Sequence, residues 1–281
     1  MPELPEVQTI TSDLNKYLKN VVIKGVEIEK GYELFENELF IKNVLNQRIV
    51  GASRIAKNIN LELENNFHIL IHLAMTGQLL LRKPNQPKDR FQRVAFTFQK
   101  SGGTKQNGNS YELRFCDMRM FGKMVLIPKK DLSKFTEKYG HDALNADLTP
   151  KIFLKAIKSK RTIIKNVLLD QKKISGLGNI YATDALFLSG IHPETLTKNI
   201  DLKTAETLLN NARAVLNEGI KNRGSTLNDE MYVDVFGKPG KHQNYFKVYG
   251  KKVCIRCKNS VQYKKLNGRG TYFCPSCQPF A

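Results

Sequence analysis

The stretch from Pro2 to Ile23 reads PELPEVQTITSDLNKYLKNVVI and passes from a helical pattern to a strand pattern. Pro5 suits the first turn of a helix, where its missing N–H leaves no hydrogen bond unmade. Apolar residues then recur at helical spacing on one face, namely Val7, Ile10, Leu14, Tyr17 and Leu18. Because β-branched residues follow at once, the sequence predicts one amino-terminal helix that leads into a β-rich region.

Short β-type runs separated by turn residues continue to about residue 128. In one of them Ile59, Leu61 and Leu63 alternate with polar residues, which is typical of a half-buried strand. The other runs are Val21–Ile23, Val26–Ile28, Phe67–Leu73, Gln78–Leu81, Val94–Phe98, Tyr111–Phe115 and Lys123–Ile127, with a polar loop at about Lys100–Ser110. Many short strands of this kind predict a β-sandwich.

The pattern becomes helical after Pro128. Ile152, Phe153, Ala156 and Ile157 mark one helix, and a second begins near Leu202 with Ala205, Leu208, Leu209, Ala212, Val215 and Leu216 on one face. A glycine turn, SGLGNIY at Ser175–Tyr181, leads into a further helix between them. We therefore predict an α+β fold with a β-sandwich domain at 1–128, a helical domain at 129–235 and a hairpin module at 236–281.

The charge of the chain indicates a polyanionic partner. Among 281 residues, 45 are Lys or Arg and 26 are Asp or Glu, which gives a net charge of +19. The segment from Gly237 to Ala281 has ten basic and no acidic residues. Such a surplus favours nucleic acid, since each neutralised phosphate releases counterions; a solubilising surface is the alternative. With no apolar run of ~18 residues and no secretory start, we expect a cytoplasmic protein without membrane contact.

Four of the five cysteines have the spacing of a metal site. Cys254, Cys257, Cys274 and Cys277 form two C-x2-C pairs with sixteen residues between them. That spacing is typical of structural zinc held by four thiolates. Two disulfides are the alternative, which a reducing cytoplasm disfavours. The fifth, Cys116, follows Phe115 in an apolar strand and is expected to be a buried small side chain.

The first residues carry the most specific resemblance. PELPEV at 2–7 resembles the mature amino terminus of formamidopyrimidine-DNA glycosylases. The resemblance implies that Pro2, once Met1 is removed, is the nucleophile and that Glu3 is the general acid. The chemistry is plausible, since an α-amino group has a pKa of ~8 and is partly uncharged at neutral pH. Its attack on the sugar carbon would expel the base and leave an iminium. The alternative is that both residues only begin a helix.

Two further segments resemble the family's DNA wedge. A glycosylase must take its target nucleotide out of the stack, and apolar side chains with an arginine fill the gap. HLAMTG at His72–Gly77 and DMRMFG at Asp117–Gly122 resemble H-L-x-M-x-G and D-x-R-x-F-G. The resemblance implies that Met75, Arg119 and Phe121 insert into DNA. The alternative places Met75 and Phe121 in the core.

The remaining motifs concern phosphate contacts. GLGNIY at Gly176–Tyr181 resembles the family's helix-two-turn-helix element, in which glycines and a helix start approach a phosphate. By the same resemblance Lys57 of the R-x-x-K run at Arg54–Lys57 belongs to the catalytic site and contacts phosphate. The resemblance also implies that Asn179 and Lys160 bind the DNA backbone. It implies that Arg269, between two glycines at the tip of a zinc-finger hairpin, assists the second elimination.

The chain also departs from the family pattern. Where many members have a DNA-contacting histidine, this sequence reads RFQRV at Arg90–Val94, so Arg90 or Arg93 is a hypothetical replacement. Met118 and Met120 stand where Pro and Arg are frequent. The segment Gly219–Asp229 is expected to include the loop that senses the lesion.

The resemblance implies a bifunctional enzyme of base-excision repair. It would excise 8-oxoguanine and formamidopyrimidines from double-stranded DNA and cleave abasic sites by β- and δ-elimination, as a monomer associated with the nucleoid. Leu4 favours this purine branch over endonuclease VIII, which prefers oxidised pyrimidines and usually begins P-E-G-P-E. A non-catalytic, zinc-containing nucleic-acid-binding protein is a second alternative, but it does not explain Pro2-Glu3.

Overall fold

The computed structural model describes residues 2–34, 36–100 and 111–280. The polar loop predicted at about Lys100–Ser110 falls almost wholly outside them. The chain divides into two compact units. Unit 1 contains residues 1–136 and 223–241, and unit 2 contains residues 137–222 and 242–281. Helices and sheets occur in both, so the predicted α+β class is confirmed.

Among the residues that the structure describes, unit 1 contains two antiparallel four-stranded sheets and three α-helices. The helices are α1 (Leu4–Leu18), α2 (Asn37–Val44) and α3 (Leu132–Thr136). The strands are β1 (Val21–Ile28), β2 (Ile49–Ile55), β3 (Asn58–Leu63), β4 (Phe67–His72), β5 (Gly77–Arg82), β6 (Gln92–Lys100), β7 (Glu112–Asp117) and β8 (Lys123–Pro128). One sheet has the order β1-β6-β7-β5 and the other β2-β3-β4-β8.

A single apolar core joins α1 to both sheets. The predicted face of α1 is buried, with Val7, Ile10, Leu14 and Leu18 at most 1% exposed. These side chains share one cluster with residues of both sheets, among them Ile59, Ile71 and Phe115. The predicted β-sandwich with an amino-terminal helix is therefore confirmed. Burying each such side chain contributes ~1.5–3 kcal/mol to the folding free energy. The apolar residues that stabilise α1 therefore recur on one face, and this repeat predicted the helix.

Three details of unit 1 differ from the prediction. The runs Val21–Ile23 and Val26–Ile28 belong to one strand, β1, because a bulge between Ile23 and Gly25 absorbs the break in alternation. A Cβ on Gly25 would lie 2.5 Å from the Oγ1 atom of Thr97, so the bulge requires glycine. The helix α2 and the strand β2 were not predicted. The strand carries Gly-Ala-Ser at its centre and lacks a strong apolar alternation.

Unit 2 combines a helical part with the hairpin module. Its elements are β9 (His141–Asp142), α4 (Pro150–Lys158), α5 (Ile164–Leu169), β10 (Ile174–Ser175), α6 (Asn179–Leu188), α7 (Leu202–Lys221), β11 (Gln262–Leu266) and β12 (Arg269–Phe273). The six predicted apolar residues of α7 are at most 1% exposed. In α4, Phe153 and Ile157 are buried, whereas Ile152 faces solvent. Within the described ranges, no helix has the length and apolarity needed to cross a lipid bilayer.

The compact units divide the chain differently from the predicted boundaries at 128 and 235. The segment 223–241 returns to unit 1 although it follows α7. Tyr232 and Val235 lie in the core of the sandwich. Arg223 forms ion pairs with Asp13 on α1 and with Asp234, and these bonds raise the pKa of its guanidinium. Contacts between residues so distant in sequence leave no local pattern, which is why the prediction divided this segment between the helical domain (to 235) and the hairpin module (from 236).

A buried histidine makes the stability of unit 2 depend on pH. His242 is 1% exposed and stacks between the rings of Tyr181 and Tyr245, at centroid distances of 5.3 and 6.4 Å. Neither ring nitrogen has a hydrogen-bond partner among the described residues. Burial lowers the pKa of His242 to about 4. The unfolded chain, with a histidine pKa of ~6.5, therefore binds a proton that the folded chain excludes until about pH 4.

We expect this difference to cost stability as the pH falls. Above pH ~6.5 His242 is neutral in both states, and the unfolding free energy has its full value. As the pH falls to the folded pKa, the unfolded state gains a proton first, and about 3 kcal/mol of unfolding free energy is lost. His242→Phe keeps an aromatic ring in the stack without a titrating nitrogen. Urea unfolding at pH 7 and pH 4.5 should show a smaller loss of unfolding free energy for His242→Phe than for the wild type. Equal losses in both proteins would contradict the assignment.

Candidate active site and nucleic-acid interface

The amino terminus is held by a reciprocal capping box. Pro2, Glu3 and Glu6 are all buried, with Glu3 4% and Glu6 2% exposed. The backbone N–H of Glu3 donates to Oε2 of Glu6 at 2.8 Å, and the Glu3 side chain caps the backbone N–H of Glu6. Two otherwise unpaired N–H groups of the first turn are thereby satisfied. The first two residues of the proposed chemistry are thus fixed to a rigid helix start.

Glu6 also joins this helix start to the segment 223–241. Its Oε1 atom accepts the backbone N–H of Ser225 at 2.7 Å. Gly224 has a φ of +78°, and a Cβ there would approach Cγ of Glu6 to 2.8 Å, so the close approach requires glycine. Gly224 and Ser225 belong to the segment that we predicted to sense the lesion. The spacing of Glu3 and Glu6 could have revealed the capping box, but no sequence signal indicated the bond to Ser225.

Lys57 lies in the two-residue turn between β2 and β3 and is only 6% exposed. The turn is fixed by Arg54, which donates to the carbonyl of Ala56 at 2.8 Å and to Oε1 of Gln8 on α1 at 2.9 Å. The arginine of the R-x-x-K run thus anchors the lysine's turn to the helix that begins at Pro2. Burial lowers the pKa of the neighbouring His72, and the charges of Lys57 and Lys123 also lower it, against a backbone hydrogen bond with Lys57 that raises it.

The three predicted wedge residues lie together at the surface of unit 1. Met75 is 44% and Phe121 56% exposed, which excludes the alternative that they are core residues. The guanidinium of Arg119 lies 4.9 Å from the centre of the Phe121 ring, and its Nη1 atom is 3.6 Å from Sδ of Met75. Met118 and Met120 add exposed apolar surface to the same turn. The arrangement presents an apolar patch with one cation, which matches the requirements for replacing a base in a stack.

Asp117 positions this patch, although sequence reasoning gave it no role. Its carboxylate is fully buried and accepts the hydroxyl of Thr76. The same carboxylate accepts the backbone N–H of Arg119 at 3.2 Å and that of Gly122 at 2.7 Å. The loop that carries Met75 and the turn that carries Arg119 therefore donate hydrogen bonds to the same carboxylate, that of Asp117.

We expect Asp117→Asn to loosen both loops. The amide has the size of the carboxylate, but its NH2 group must face a donor, so at least one buried N–H or O–H loses its acceptor. Such a loss costs ~1–3 kcal/mol. Urea unfolding should show the unfolding free energy reduced by about 2 kcal/mol. Asp131→Asn is the matched control, since Asp131 pairs with Lys134 at the surface and its loss should leave the unfolding free energy almost unchanged. Equal stability of the two variants would refute the role of Asp117.

The structure separates the two arginines considered as replacements for the family's histidine. Arg93 donates to Glu29 at 3.1 Å and to the carbonyl of Asp117 at 3.0 Å, and its side chain is 18% exposed. Arg90 is exposed and lies over the ring of Phe91, 4.6 Å from its centre. Since Arg93 is already committed to protein acceptors, Arg90 is the better candidate for a phosphate contact.

In unit 2, Asn179 and Arg269 both lie at the strand β12, whereas Lys160 lies elsewhere, beside Asp170. Asn179 is the first residue of α6 and donates to the carbonyl of Gly270 on β12 at 2.9 Å. Lys160 is exposed and pairs with Asp170 at 2.6 Å, and this bond lowers the pKa of Asp170. Arg269 is exposed and begins β12 directly after Asn267-Gly268, whose φ values of +44° and +77° are typical of a type I′ turn. The predicted position of Arg269 beside the hairpin tip is confirmed.

The four cysteines predicted as ligands converge. Their Sγ atoms all lie within 4.8 Å of one another. The pairs Cys254–Cys277 and Cys257–Cys274 are 3.8 and 3.5 Å apart, far beyond the ~2.05 Å of a disulfide. A tetrahedron with Zn–S bonds of ~2.3 Å has edges of ~3.8 Å, so the cluster fits zinc. Burial disfavours the Cys254 thiolate, but backbone N–H groups of Cys257 and Arg256 outweigh it and lower the pKa of Cys254 to about 7.

The zinc hairpin packs on the helical part of unit 2. Cys254 and Cys274 share a small core with Phe187 of α6 and Val248. Arg256 donates to the carbonyls at the end of α6, those of Phe187 and Leu188. The remaining cysteine, Cys116, is 3% exposed in β7, as predicted, and burial raises the pKa of its thiol to about 12.

Together, the sandwich with its capped proline terminus and the helical unit with its glycine turn and zinc hairpin define the helix-two-turn-helix class of proteins. Three family models match successive segments that together cover most of the chain. Residues 1–124 match the formamidopyrimidine-DNA glycosylase N-terminal domain, residues 139–231 its H2TH domain, and residues 251–279 the zinc finger found in FPG and IleRS. The chain belongs to the formamidopyrimidine-DNA glycosylase family.

Individual relatives support this assignment. A formamidopyrimidine-DNA glycosylase of Pelotomaculum thermopropionicum is 34% identical over 284 residues, which cover 99% of each chain. The Fpg protein of Lactococcus lactis, solved in complex with DNA containing an abasic site, superposes with a TM-score of 0.89. It is 30% identical, and the match covers 99% of this chain and all of the other. A mutant of the Lactococcus protein, solved with DNA containing Fapy-dG, also gives a TM-score of 0.89.

Proposed function

We propose that this protein is a bifunctional DNA glycosylase and abasic-site lyase of base-excision repair that excises oxidised purines. The observation that carries the proposal is the amino terminus, where Pro2 and Glu3 are buried and fixed by the capping box to α1. A helix start alone does not need a buried proline and acid in this order. Family membership over the full length supports the same function.

The proposed chemistry begins with the secondary amine of Pro2, which removal of Met1 exposes. The amine attacks C1′ of the damaged nucleotide, and the bond between C1′ and the base breaks. Glu3 donates a proton to the sugar ring oxygen, so the ring opens to an iminium with Pro2. The iminium acidifies the hydrogen on C2′, and loss of that proton expels the 3′ phosphate in β-elimination. A second elimination, assisted by Arg269, releases the 5′ phosphate.

The other predicted residues bind and position the DNA in this proposal. Met75, Arg119 and Phe121 fill the space that the extruded nucleotide leaves, at a cost of a few kcal/mol for unstacking. Lys57 contacts a phosphate next to the lesion, and Lys160 and Asn179 contact the backbone farther along. The zinc ion, held by the four cysteines, stabilises the hairpin that carries Arg269. The partner is double-stranded DNA, and we infer that the protein acts as a monomer in the cytoplasm, at the nucleoid.

A trapping assay tests the proposal. Mature protein is incubated with a duplex containing 8-oxoguanine opposite cytosine, and borohydride is added to reduce the iminium. We expect a covalent protein–DNA adduct and a strand nick. Absence of an adduct with protein whose Met1 has been removed would contradict the proposed function. A duplex with an oxidised pyrimidine runs in parallel, and a strong preference for it would assign the chain to the endonuclease VIII type instead.

A further inference from the structure

A buried lysine in unit 2 has no role in the chemistry described so far. Lys165 lies in α5 and is 1% exposed. Moving an ammonium out of water costs several kcal/mol unless its protons are donated to well-placed acceptors. Lysines are for that reason almost never fully buried. The acceptors that Lys165 reaches therefore indicate what the fold gains from it.

The ammonium of Lys165 donates to the strand that carries Arg269. Its Nζ atom lies 2.6 Å from Oγ1 of Thr271 and 3.4 Å from the carbonyl oxygen of Gly270. Thr271 is completely buried, and its hydroxyl donates in turn to the carbonyl of Arg269 at 3.1 Å. A hydroxyl has one proton to donate. The Thr271 hydroxyl therefore accepts a hydrogen bond from Lys165 and donates one to the carbonyl oxygen of Arg269. The bonds form a chain from α5 to the backbone of Arg269.

Asn179 holds the same strand from a second helix. Its side-chain amide donates to the carbonyl of Gly270, so that carbonyl receives bonds from both Asn179 and Lys165. The carbonyls of Arg269 and Gly270 and the hydroxyl of Thr271 are thereby fixed in succession. The Arg269 side chain itself is exposed and follows a two-residue turn of a two-stranded hairpin. Such a hairpin is only marginally stable alone, so external bonds determine how well its tip is held.

We propose that Lys165 is a positioning residue for Arg269, acting through Thr271 and Gly270. The inference rests on the proposed function, in which Arg269 assists the second elimination. By fixing the backbone of 269–271, Lys165 limits the range that the guanidinium samples and keeps it where the departing phosphate needs a proton or a counter-charge. Hydrogen bonds from a charged donor are roughly twice as strong as those between neutral groups, so the bonds from Lys165 favour one arrangement of this strand.

The first test uses a matched pair of variants at Thr271. Thr271→Val keeps the shape but removes the hydroxyl, whereas Thr271→Ser keeps the hydroxyl. The substrate is a duplex with one preformed abasic site, so base excision is bypassed. We expect Thr271→Val to slow δ-elimination about tenfold, with β-elimination and borohydride trapping within about twofold of wild type. Thr271→Ser should resemble the wild type, and Lys165→Met should resemble Thr271→Val.

The second test asks whether the effect passes through Arg269. In an Arg269→Ala background, Thr271→Val should cause no further loss of δ-elimination, since the group being positioned is absent. An equal further loss there would overturn the proposal, as would unchanged δ-elimination in Thr271→Val and Lys165→Met. Loss of bound zinc from both Thr271→Val and Lys165→Met would show that Thr271 and Lys165 only stabilise the hairpin, and this result would also overturn the proposal. By contrast, a wild type that forms no borohydride adduct would show that the proposed function itself is wrong.

Discussion

Insertion of a lysine between Met1 and Pro2 is expected to reduce adduct formation and strand cleavage by at least about a thousandfold. A bulky second residue prevents removal of the initiator methionine, so the nitrogen of Pro2 remains in an amide. The lone pair of an amide nitrogen is delocalised into the carbonyl group and cannot attack carbon. Without the amine, the covalent route is lost, and only binding and polarisation of the sugar remain. We expect no adduct with borohydride on any lesion.

Two variants separate this chemical effect from damage to the helix start. Pro2→Gly keeps an amino terminus at the same position but loses the ring that fixes it, and we expect its adduct to be absent as well. Pro5→Ala changes the other proline of the same helix start, within α1. It should retain adduct formation within about threefold, since the residue at N1 or N2 of a helix contributes little beyond its fixed φ. An adduct of normal yield from the lysine-extended chain would exclude Pro2 as the nucleophile.

Loss of zinc is expected to have the second largest effect. Cys277→Ser removes one of four ligands, and structural zinc binding contributes ~10–16 kcal/mol of apparent free energy in small zinc modules. Because Cys254 and Cys274 lie in a core with Phe187 and Val248, an unliganded cluster would leave polar thiols in the apolar interior of unit 2. We expect the hairpin of 262–273 to unfold and the second elimination, in which we propose that Arg269 assists, to disappear.

Metal content and thermal unfolding measure this effect directly. Wild-type protein should contain one zinc ion per chain, and Cys277→Ser should contain much less than one. Its unit 2 should unfold at a lower temperature, while adduct formation at Pro2 in unit 1 should be impaired less than δ-elimination. Cys116→Ala is the matched control, since Cys116 is buried in β7 and lies outside the cluster. It should keep full zinc content. Full zinc content in Cys277→Ser would contradict the four-cysteine site.

The parts of this protein that were predicted correctly have short-range signals. The face of α1 and that of α7 repeat every three to four residues, so burial of one side of each helix is visible in the sequence. The metal cluster was predicted for a similar reason. Each C-x2-C pair places two thiols within one tight turn, and a hairpin brings the two pairs together. The exposure of Met75 and Phe121 followed only from the resemblance, since composition alone favours a core position for both, and their insertion into DNA stays a prediction.

The parts that were missed depend on contacts between distant residues. Nothing near Glu6 in sequence indicates that its carboxylate accepts the N–H of Ser225, and nothing near Thr76 indicates its bond to Asp117. Strand β2 was missed because its central residues are small, and its partner strand, rather than its own pattern, holds it in the sheet. The segment 223–241 was divided between the predicted helical domain and hairpin module because its ion pair to α1 cannot be anticipated locally.

The sequence by itself therefore determined the two-domain α+β class, the helices α1 and α7 and the four-cysteine cluster, because periodicity and spacing are local properties, and it predicts Pro2 as the reactive terminus. Only the tertiary structure decided how those residues are held. It placed the Lys165 ammonium against Thr271 and Gly270, and it joined the wedge loops through Asp117. A buried charge is stable only when the fold delivers acceptors or donors to it. Those partners come from other elements of the chain, so their identity emerges only when the chain has folded.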